Sequence, residues 1–249
     1  MKILAIPARA LWKSLFVTNF IVGFFVLYPF FFVLLLREQW FPLAYRLKRF
    51  WAAWILFTSG IRVSVKSEFD LNKLPSPAIF CANHVSYLDI VLSYFLLPSY
   101  FVFMAKQELD RLPLFRIFFK RMNILVDRKS KMGSYKAFTQ AGEKIDKGHS
   151  VFLFPEGSIS KEAPLLRPFK NGSFKLAIDK QIPVIPITFL NNWKILQNGG
   201  FFKSNGKPGV ARVIIHQPIE TKNMGEPDLL TLKGKVYDII SNDMKNESA

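Results

Sequence analysis

Hydrophobic and polar positions divide the chain into two parts with different patterns. The first part contains 22 consecutive uncharged residues, from Leu15 to Leu36. As an α-helix this run rises about 33 Å, roughly the thickness of one hydrocarbon core, so it predicts a helix that spans or deeply enters a membrane. A signal peptide is disfavoured because no small-residue cleavage site follows the run. Two alternatives remain, a buried helix of a soluble protein and a helix that bends at Gly23 or Pro29 and returns.

Aromatic and basic residues are mixed in the next segment, Arg37 to Ile61. This mixture is typical of a helix at the membrane–water interface. Residues 1–60 are therefore predicted to form a membrane anchor or helical hairpin, and residues 61–249 a separate domain. Basic residues flank the apolar run on both sides, so the positive-inside rule does not decide its orientation.

From residue 61 onward, short apolar runs alternate with amphipathic stretches, which predicts an α/β domain. Most runs are nearly continuously apolar, as expected for a sheet covered on both faces. The predicted strands are Ile61–Lys66, Ala78–Ala82, Tyr100–Met104, Ile124–Asp127, Val151–Phe154, Val184–Phe189 and Ala211–His216. The predicted helices are Ser86–Leu97, Gln107–Met122, Met132–Lys147, Ser173–Lys180 and Asp228–Met244.

The composition of the chain indicates what kind of partner it binds. Half of the residues are hydrophobic, 26 are Phe, and the formal net charge is +16. A basic chain binds polyanions, and long apolar runs favour anionic membrane lipids over nucleic acid. The single cysteine, Cys81, excludes an intramolecular disulfide and a cysteine-rich metal site.

One histidine lies where α/β sheets place their sites. Of the three histidines, His84 follows the apolar strand Ala78–Ala82 and precedes a helix, whereas His149 and His216 lie in a turn and late in a strand. Asp89 is five residues after His84, so the two side chains can meet only if His84 lies in the turn before the helix. Ser86 and Asp89 also match a capping box, so a purely capping role for Asp89 remains an alternative.

Charged residues follow the other predicted strands. Glu156 and Gly157 follow Val151–Phe154, while Lys106 and Arg128 follow two further strands. Together with His84 and Asp89, these residues predict a catalytic site that binds an anion at one edge of the sheet. An ordinary polar turn and surface salt bridges are the alternatives for these positions.

These residues also resemble the motifs of the 1-acylglycerol-3-phosphate (lysophosphatidic acid) acyltransferase family over residues 60–220. Asn83, His84 and Asp89 match its His-x4-Asp block, and Phe154 to Ser158 match its Phe-Pro-Glu-Gly-Thr block with Ser in place of Thr. Ile182 to Ile187 and Ala105 to Leu109 match two further blocks. Two positions depart from the family: Ile159 replaces an arginine, and Met122 replaces a glycine.

The resemblance implies a glycerophospholipid acyltransferase-like fold, a mostly buried mixed sheet flanked by helices. It implies that His84 acts as general base, oriented by Asp89, to acylate a lysophospholipid hydroxyl. The donor would be an acyl thioester of coenzyme A or acyl carrier protein, and the product phosphatidic acid, with no cofactor and no metal. The implied substrate-binding residues are Asn83, Lys106, Arg128, Glu156, Gly157 and Ser158. In place of the missing arginine, a cation is available at Arg128, Lys106, Lys161, Arg167 or Lys170.

Other functions remain open at this point. The acceptor is alternatively glycerol 3-phosphate, a lyso-ornithine lipid or another lysophospholipid, since Ile159 replaces a cation of the family. A non-catalytic basic membrane-binding protein is the alternative from a different class. The expected location is the membrane, with the catalytic domain on its cytoplasmic face and no nucleic-acid partner.

Overall fold

Seven strands form one mixed sheet at the centre of the chain. The computed structural model describes residues 2–248, except 112, 113, 115 and 128. In chain order the strands are β1 (Ile61–Ser67), β2 (Ile79–Ala82), β3 (Phe101–Lys106), β4 (Ile124–Val126), β5 (Ser150–Leu153), β6 (Val184–Phe189) and β7 (Gly209–Ile215). Their spatial order is β1-β7-β6-β2-β5-β3-β4.

Strand direction brings several strand ends to one edge. Strands β6, β2, β5, β3 and β4 run parallel to one another, β7 is antiparallel to β6, and β1 is parallel to β7. Five carboxyl ends therefore share the edge at which β1 and β7 begin. The central strands β2, β5 and β6 are buried along their whole length, as their nearly continuous apolar sequences predict.

Helices cover both faces of the sheet and extend from it. They are α1 (Lys2–Leu34), α2 (Phe41–Thr58), α3 (Leu88–Leu96), α4 (Arg116–Arg121), α5 (Lys131–Asp146), α6 (Gly172–Lys180), α7 (Asn192–Ile195) and α8 (Leu229–Ser248). All seven strands lie within two residues of their predicted bounds. The predicted helix Gln107–Met122 is wrong: Gln107–Arg111 is a 3₁₀ helix and α4 is separate. The sequence has a proline at position 113, which removes a donor and disfavours a continuous helix.

The first helix packs against the second and leaves much apolar surface uncovered. Residues Ile6–Leu34 of α1 are long and apolar enough to cross a membrane, since they contain an 18-residue stretch with a mean hydropathy of 2.1, of which only 17% is buried. Helix α1 is continuous through Gly23, where an added Cβ would lie 2.6 Å from Nε1 of Trp51 in α2. Gly23 therefore permits close helix packing and does not bend α1 back. The division at residue 60 stays a prediction.

Candidate active site

The candidate site forms where β2 ends and α3 begins. Nδ1 of His84 lies 2.9 Å from Oδ2 of Asp89, whose side chain is fully buried. The side chains meet because the chain is irregular after Ala82 and enters α3 only at Leu88, as the five-residue spacing requires. The structure therefore brings together the two residues predicted to carry the chemistry.

The carboxylate of Asp89 also caps the start of α3. Its Oδ2 accepts the N–H groups of Val85 at 2.7 Å and Ser86 at 2.9 Å. Its Oδ1 accepts a hydrogen bond of 2.7 Å from Nδ2 of Asn192. The orienting and capping interactions, which are alternatives on the sequence alone, are thus made by the same carboxylate.

Hydrogen bonding and stacking fix the imidazole of His84. Because the oxygens of Asp89 act as acceptors, the single proton of a neutral ring belongs on Nδ1, which leaves the lone pair on Nε2. Nε2 has no hydrogen-bond partner within the described part of the chain. The ring of Phe154 stacks on the imidazole at a centroid distance of 3.9 Å and an angle of 14°, and His84 is only 9% exposed. The site therefore holds a rigid ring with one free basic nitrogen.

Glu156 holds the backbone around His84. Its Oε1 accepts the N–H of His84 at 2.8 Å, and its Oε2 accepts the N–H of Arg167 at 2.9 Å. Burial raises the pKa of Glu156 to about 7, a shift that these two backbone hydrogen bonds partly oppose. Because both oxygens accept backbone hydrogen bonds, the geometry indicates a positioning role for Glu156, and its contact with substrate stays a prediction.

Asn83 also joins two parts of the fold. Its Nδ2 donates to the carbonyl of Phe189 at 3.0 Å, and its Oδ1 accepts the N–H of Phe189 at 2.8 Å. The residue is fully buried. These paired bonds connect the end of β2 to the end of β6, which gives Asn83 a structural role, and its predicted contact with substrate stays a prediction.

Two cations lie at the turn of Gly157 and Ser158. Gly157 has a φ of +77°, which favours glycine, and an added Cβ would lie 3.0 Å from Nζ of Lys170. Nη1 of Arg167 donates a hydrogen bond to Oγ of Ser158, and both side chains are exposed. This chain has Ile159 where the family carries an arginine. Two cations, Arg167 and Lys170, follow eight and eleven residues later and lie beside the same turn.

The other two predicted cations are less informative. Nζ of Lys106 lies 3.1 Å from Oε1 of Glu108, which forms a local surface ion pair after β3. Arg128 lies outside the described residues, so its predicted phosphate contact stays a prediction. The surface salt bridge that the sequence left open as an alternative for Lys106 is present.

The remaining histidines lie in other environments. The ring of His149 makes an edge contact with Tyr100 at a centroid distance of 5.0 Å. His216 is buried, with Nε2 2.8 Å from Oγ1 of Thr188 and Nδ1 3.2 Å from Oε1 of Glu68. Among the described residues, no group of three or more His, Cys, Asp or Glu side chains is arranged to hold a metal ion.

Two contributors to the site were not predicted. Asn192 begins α7 three residues after the last residue of β6, at the same sheet edge as His84, and Phe154 directly follows β5. Their position after buried strands is the signal that could have identified them. The amide–carboxylate contact itself joins residues 103 positions apart, and no local sequence pattern encodes such a contact.

Comparison with known proteins identifies relatives of this chain. A protein-family model described as acyltransferase matches residues 62–190. A chloroplastic 1-acyl-sn-glycerol-3-phosphate acyltransferase of Brassica napus is 36% identical over 153 residues, which cover 60% of this chain and 43% of the relative. The 1-acyl-sn-glycerol-3-phosphate acyltransferase of Haemophilus influenzae is 30% identical over 130 residues, covering 51% and 53%. The chain thus spans about half the length of these curated relatives.

A solved structure has the same fold. The crystal structure of the 1-acyl-sn-glycerophosphate acyltransferase PlsC from Thermotoga maritima superposes with a TM-score of 0.77. The alignment covers 100% of this chain and 98% of that chain, at 21% identity. This similarity confirms the predicted fold class, a mixed sheet flanked by helices with an apolar N-terminal helix.

Proposed function

We propose that this chain, which belongs to the acyltransferase family, transfers an acyl group from an acyl thioester to the sn-2 hydroxyl of 1-acylglycerol 3-phosphate. The product would be phosphatidic acid. One observation carries the proposal: His84 is held by Asp89 at 2.9 Å, and its Nε2 has no partner among the described residues. That geometry is what a general base for a hydroxyl nucleophile requires.

The proposed reaction needs no covalent acyl-enzyme. Nε2 of His84 removes the proton of the acceptor hydroxyl while its oxygen attacks the thioester carbonyl, which forms a tetrahedral intermediate. The intermediate then expels the thiolate, and the imidazolium returns the proton to the sulfur. Asp89 stabilises the imidazolium between these steps, the role that the acid has in a catalytic triad.

The phosphate of the acceptor is proposed to bind at the turn of Gly157 and Ser158. Arg167 reaches the hydroxyl of Ser158, and the amine of Lys170 lies over Gly157. Guanidinium groups bind phosphate through charge-assisted, often bidentate hydrogen bonds. Because both cations lie beside Gly157 and Ser158, which directly precede Ile159, we propose that they act in place of the family's arginine, with Lys106 and Arg128 as further candidates.

The donor and the location are also proposals. The donor is acyl-coenzyme A or acyl-acyl carrier protein, and the latter would make acyl carrier protein a protein partner. Membrane association is supported by the apolar stretch Ile6–Leu34 of α1. We place the catalytic domain on the cytoplasmic face, where these soluble thioesters are available, next to the lysophospholipid acceptor in the membrane.

Product analysis by mass spectrometry tests the proposal. Purified protein in lipid vesicles would receive one labelled acyl thioester and one acceptor at a time: lysophosphatidic acid, glycerol 3-phosphate, a lyso-ornithine lipid or another lysophospholipid. The proposal requires labelled phosphatidic acid from wild type and its loss in His84→Ala. Labelling of a different acceptor would support acyl transfer but identify that acceptor as the substrate in place of lysophosphatidic acid. If no thioester is consumed with any acceptor, the result would favour a non-catalytic membrane-binding protein.

A further inference from the structure

A loop with two exposed phenylalanines lies between the candidate active site and α1. The bridge between Leu196 and Gly206 closes this loop, which we call the 196–206 loop. At its tip Phe201 is 42% exposed and Phe202 is 69% exposed, and their rings contact each other at 5.2 Å. Adjacent exposed aromatic side chains form an apolar surface patch, and such patches often mark sites that bind a membrane or another apolar partner.

The loop is fixed to α1 through a buried lysine. Nζ of Lys13 donates hydrogen bonds to the carbonyl of Phe201 at 2.9 Å and to Oγ of Ser204 at 2.7 Å, and it also donates to the carbonyl of Ser204. Gly206 permits this approach, because an added Cβ would lie 2.6 Å from Cε of Lys13. The tip of the loop therefore has a defined position near the N-terminal end of the apolar helix.

The surroundings of the tip match an anionic bilayer. Within four residues of Lys13, the α1 side chains Leu11, Leu15 and Val17 are exposed, so the part of the candidate membrane helix that holds the loop also presents apolar surface. Exposed Lys203 and Lys207 follow the phenylalanines. Aromatic residues beside lysines are typical of the boundary between lipid headgroups and acyl chains.

The base of the same loop contacts the catalytic turn. The hydroxyl of Ser86 donates to the carbonyl of Leu196 at 2.5 Å, and Asn192, four residues earlier, holds Asp89. We propose that the 196–206 loop inserts Phe201 and Phe202 into an anionic bilayer and thereby holds the catalytic edge of the sheet at the membrane surface. This inference concerns a membrane contact separate from α1, and it holds for any lipid acceptor.

Site-specific labelling tests the loop in the full-length protein. The single native cysteine, Cys81, is fully buried, so a cysteine at position 202 can be labelled selectively with an environment-sensitive fluorophore. The protein would be reconstituted into vesicles of phosphatidylcholine and phosphatidylglycerol, with and without phospholipid that carries a nitroxide quencher on its acyl chain. Leu230→Cys is the matched control, because Leu230 has a similar exposure of 64% and lies in the first turn of α8.

Insertion predicts opposite behaviour at the two positions. The label of Phe202→Cys should shift its emission to the blue, lose fluorescence with the nitroxide lipid and be protected from aqueous iodide. The label of Leu230→Cys should be quenched by iodide and not by the nitroxide lipid. Equal iodide quenching at both positions, with no loss at position 202 from the nitroxide lipid, would overturn the proposal even if α1 retains the protein in the vesicles.

Discussion

Nδ2 of Asn192 donates a hydrogen bond of 2.7 Å to Oδ1 of Asp89, the oxygen of that carboxylate that does not contact His84. The bond joins α7, which follows β6, to the first turn of α3, which follows β2. Because β2 and β6 are neighbours in the sheet, their two following turns meet at one edge. Asn192 thus orients Asp89 as Asp89 orients His84.

Removing this amide should impair catalysis more than folding. Asn192→Ala leaves Oδ1 of Asp89 buried without its donor, and hydrogen bonds to charged groups are worth about 1.5–3 kcal/mol. We expect kcat to fall roughly 10- to 100-fold. The pH profile of kcat should also shift, because Asp89, the partner of the imidazole, has lost a hydrogen bond that stabilises its charge. Asn191→Ala, at the neighbouring position, is the control for loss of an amide. A normal kcat and pH profile in Asn192→Ala would show that the bond is only structural.

His84 itself should be indispensable. Loss of a general base lowers rates by typically 10²–10⁴-fold, so His84→Ala should reduce acyl-thioester consumption by at least about that factor. His149→Ala is the matched control, since its ring lies against Tyr100 and away from Asp89. Comparable rates in both variants, measured on protein with equal thermal stability, would contradict the assignment of the base.

Much of this site could be predicted from local sequence, and the reason is the sheet. Buried parallel strands are recognisable as apolar runs, and their carboxyl ends must share an edge, so His84, Asp89 and Glu156 could be placed together. The orientation of each side chain could not be predicted. Glu156 and Asn83 have the motif positions of substrate ligands, yet their polar atoms bind backbone groups of Arg167, His84 and Phe189. The interruption after Gln107–Arg111 was missed because apolar and basic periodicity outweighed one proline.

Glu156 should give stability a specific pH dependence. Its pKa in the folded protein is about 7, above the ordinary glutamate value of 4.5. Between these two pH values, the folded state therefore holds a proton that the unfolded state has lost. The free energy of unfolding should therefore fall as pH rises from about 4.5 to about 7 and then level off. Glu156→Gln should flatten that part of the profile, as thermal unfolding in detergent would reveal. The same slope in Glu156→Gln as in wild type would exclude Glu156 as its source, and Glu162→Gln is the control.

Lys48 should have the opposite dependence. This residue of α2 is 6% exposed and lies against the rings of Tyr94 and Phe118, and burial lowers its pKa to about 7. Burial of the charged amine lowers the free energy of unfolding by its full amount below pH 7. This destabilisation decreases as pH rises from about 7 toward 10.5, because the folded protein can then hold the amine in its neutral form. Lys48→Met should thus raise Tm by several degrees at pH 6.5 and by less at pH 9.5. Lys120→Met, at an exposed position of α4, should change Tm at neither pH, and a Lys48→Met gain that is independent of pH would contradict the assignment.

Arg167 is predicted to replace the cation that the family carries at position 159. Charge-assisted hydrogen bonds are worth about 1.5–3 kcal/mol, so Arg167→Ala should lower kcat/KM for lysophosphatidic acid by roughly 10- to 150-fold. For uncharged monoacylglycerol, which has no phosphate, wild type should be slow and the substitution should change little. Lys161→Ala, which removes a nearby exposed cation, should leave both values almost unchanged. Because the substitution also removes the partner of Ser158, a second variant must separate phosphate binding from local structure.

Restoring the family's charge provides that separation. Ile159→Arg in the Arg167→Ala background puts a guanidinium back beside Gly157 and Ser158 without restoring the original contact between Arg167 and Ser158. If Arg167 acts through phosphate, the double variant should recover much of kcat/KM for lysophosphatidic acid, with no matching gain for monoacylglycerol. An equal loss for both acceptors in Arg167→Ala, not rescued by Ile159→Arg, would mean that Arg167 only supports the turn. The phosphate site would then have to be sought at Lys170, Lys106 or Arg128, and the base assigned to His84 would be unaffected.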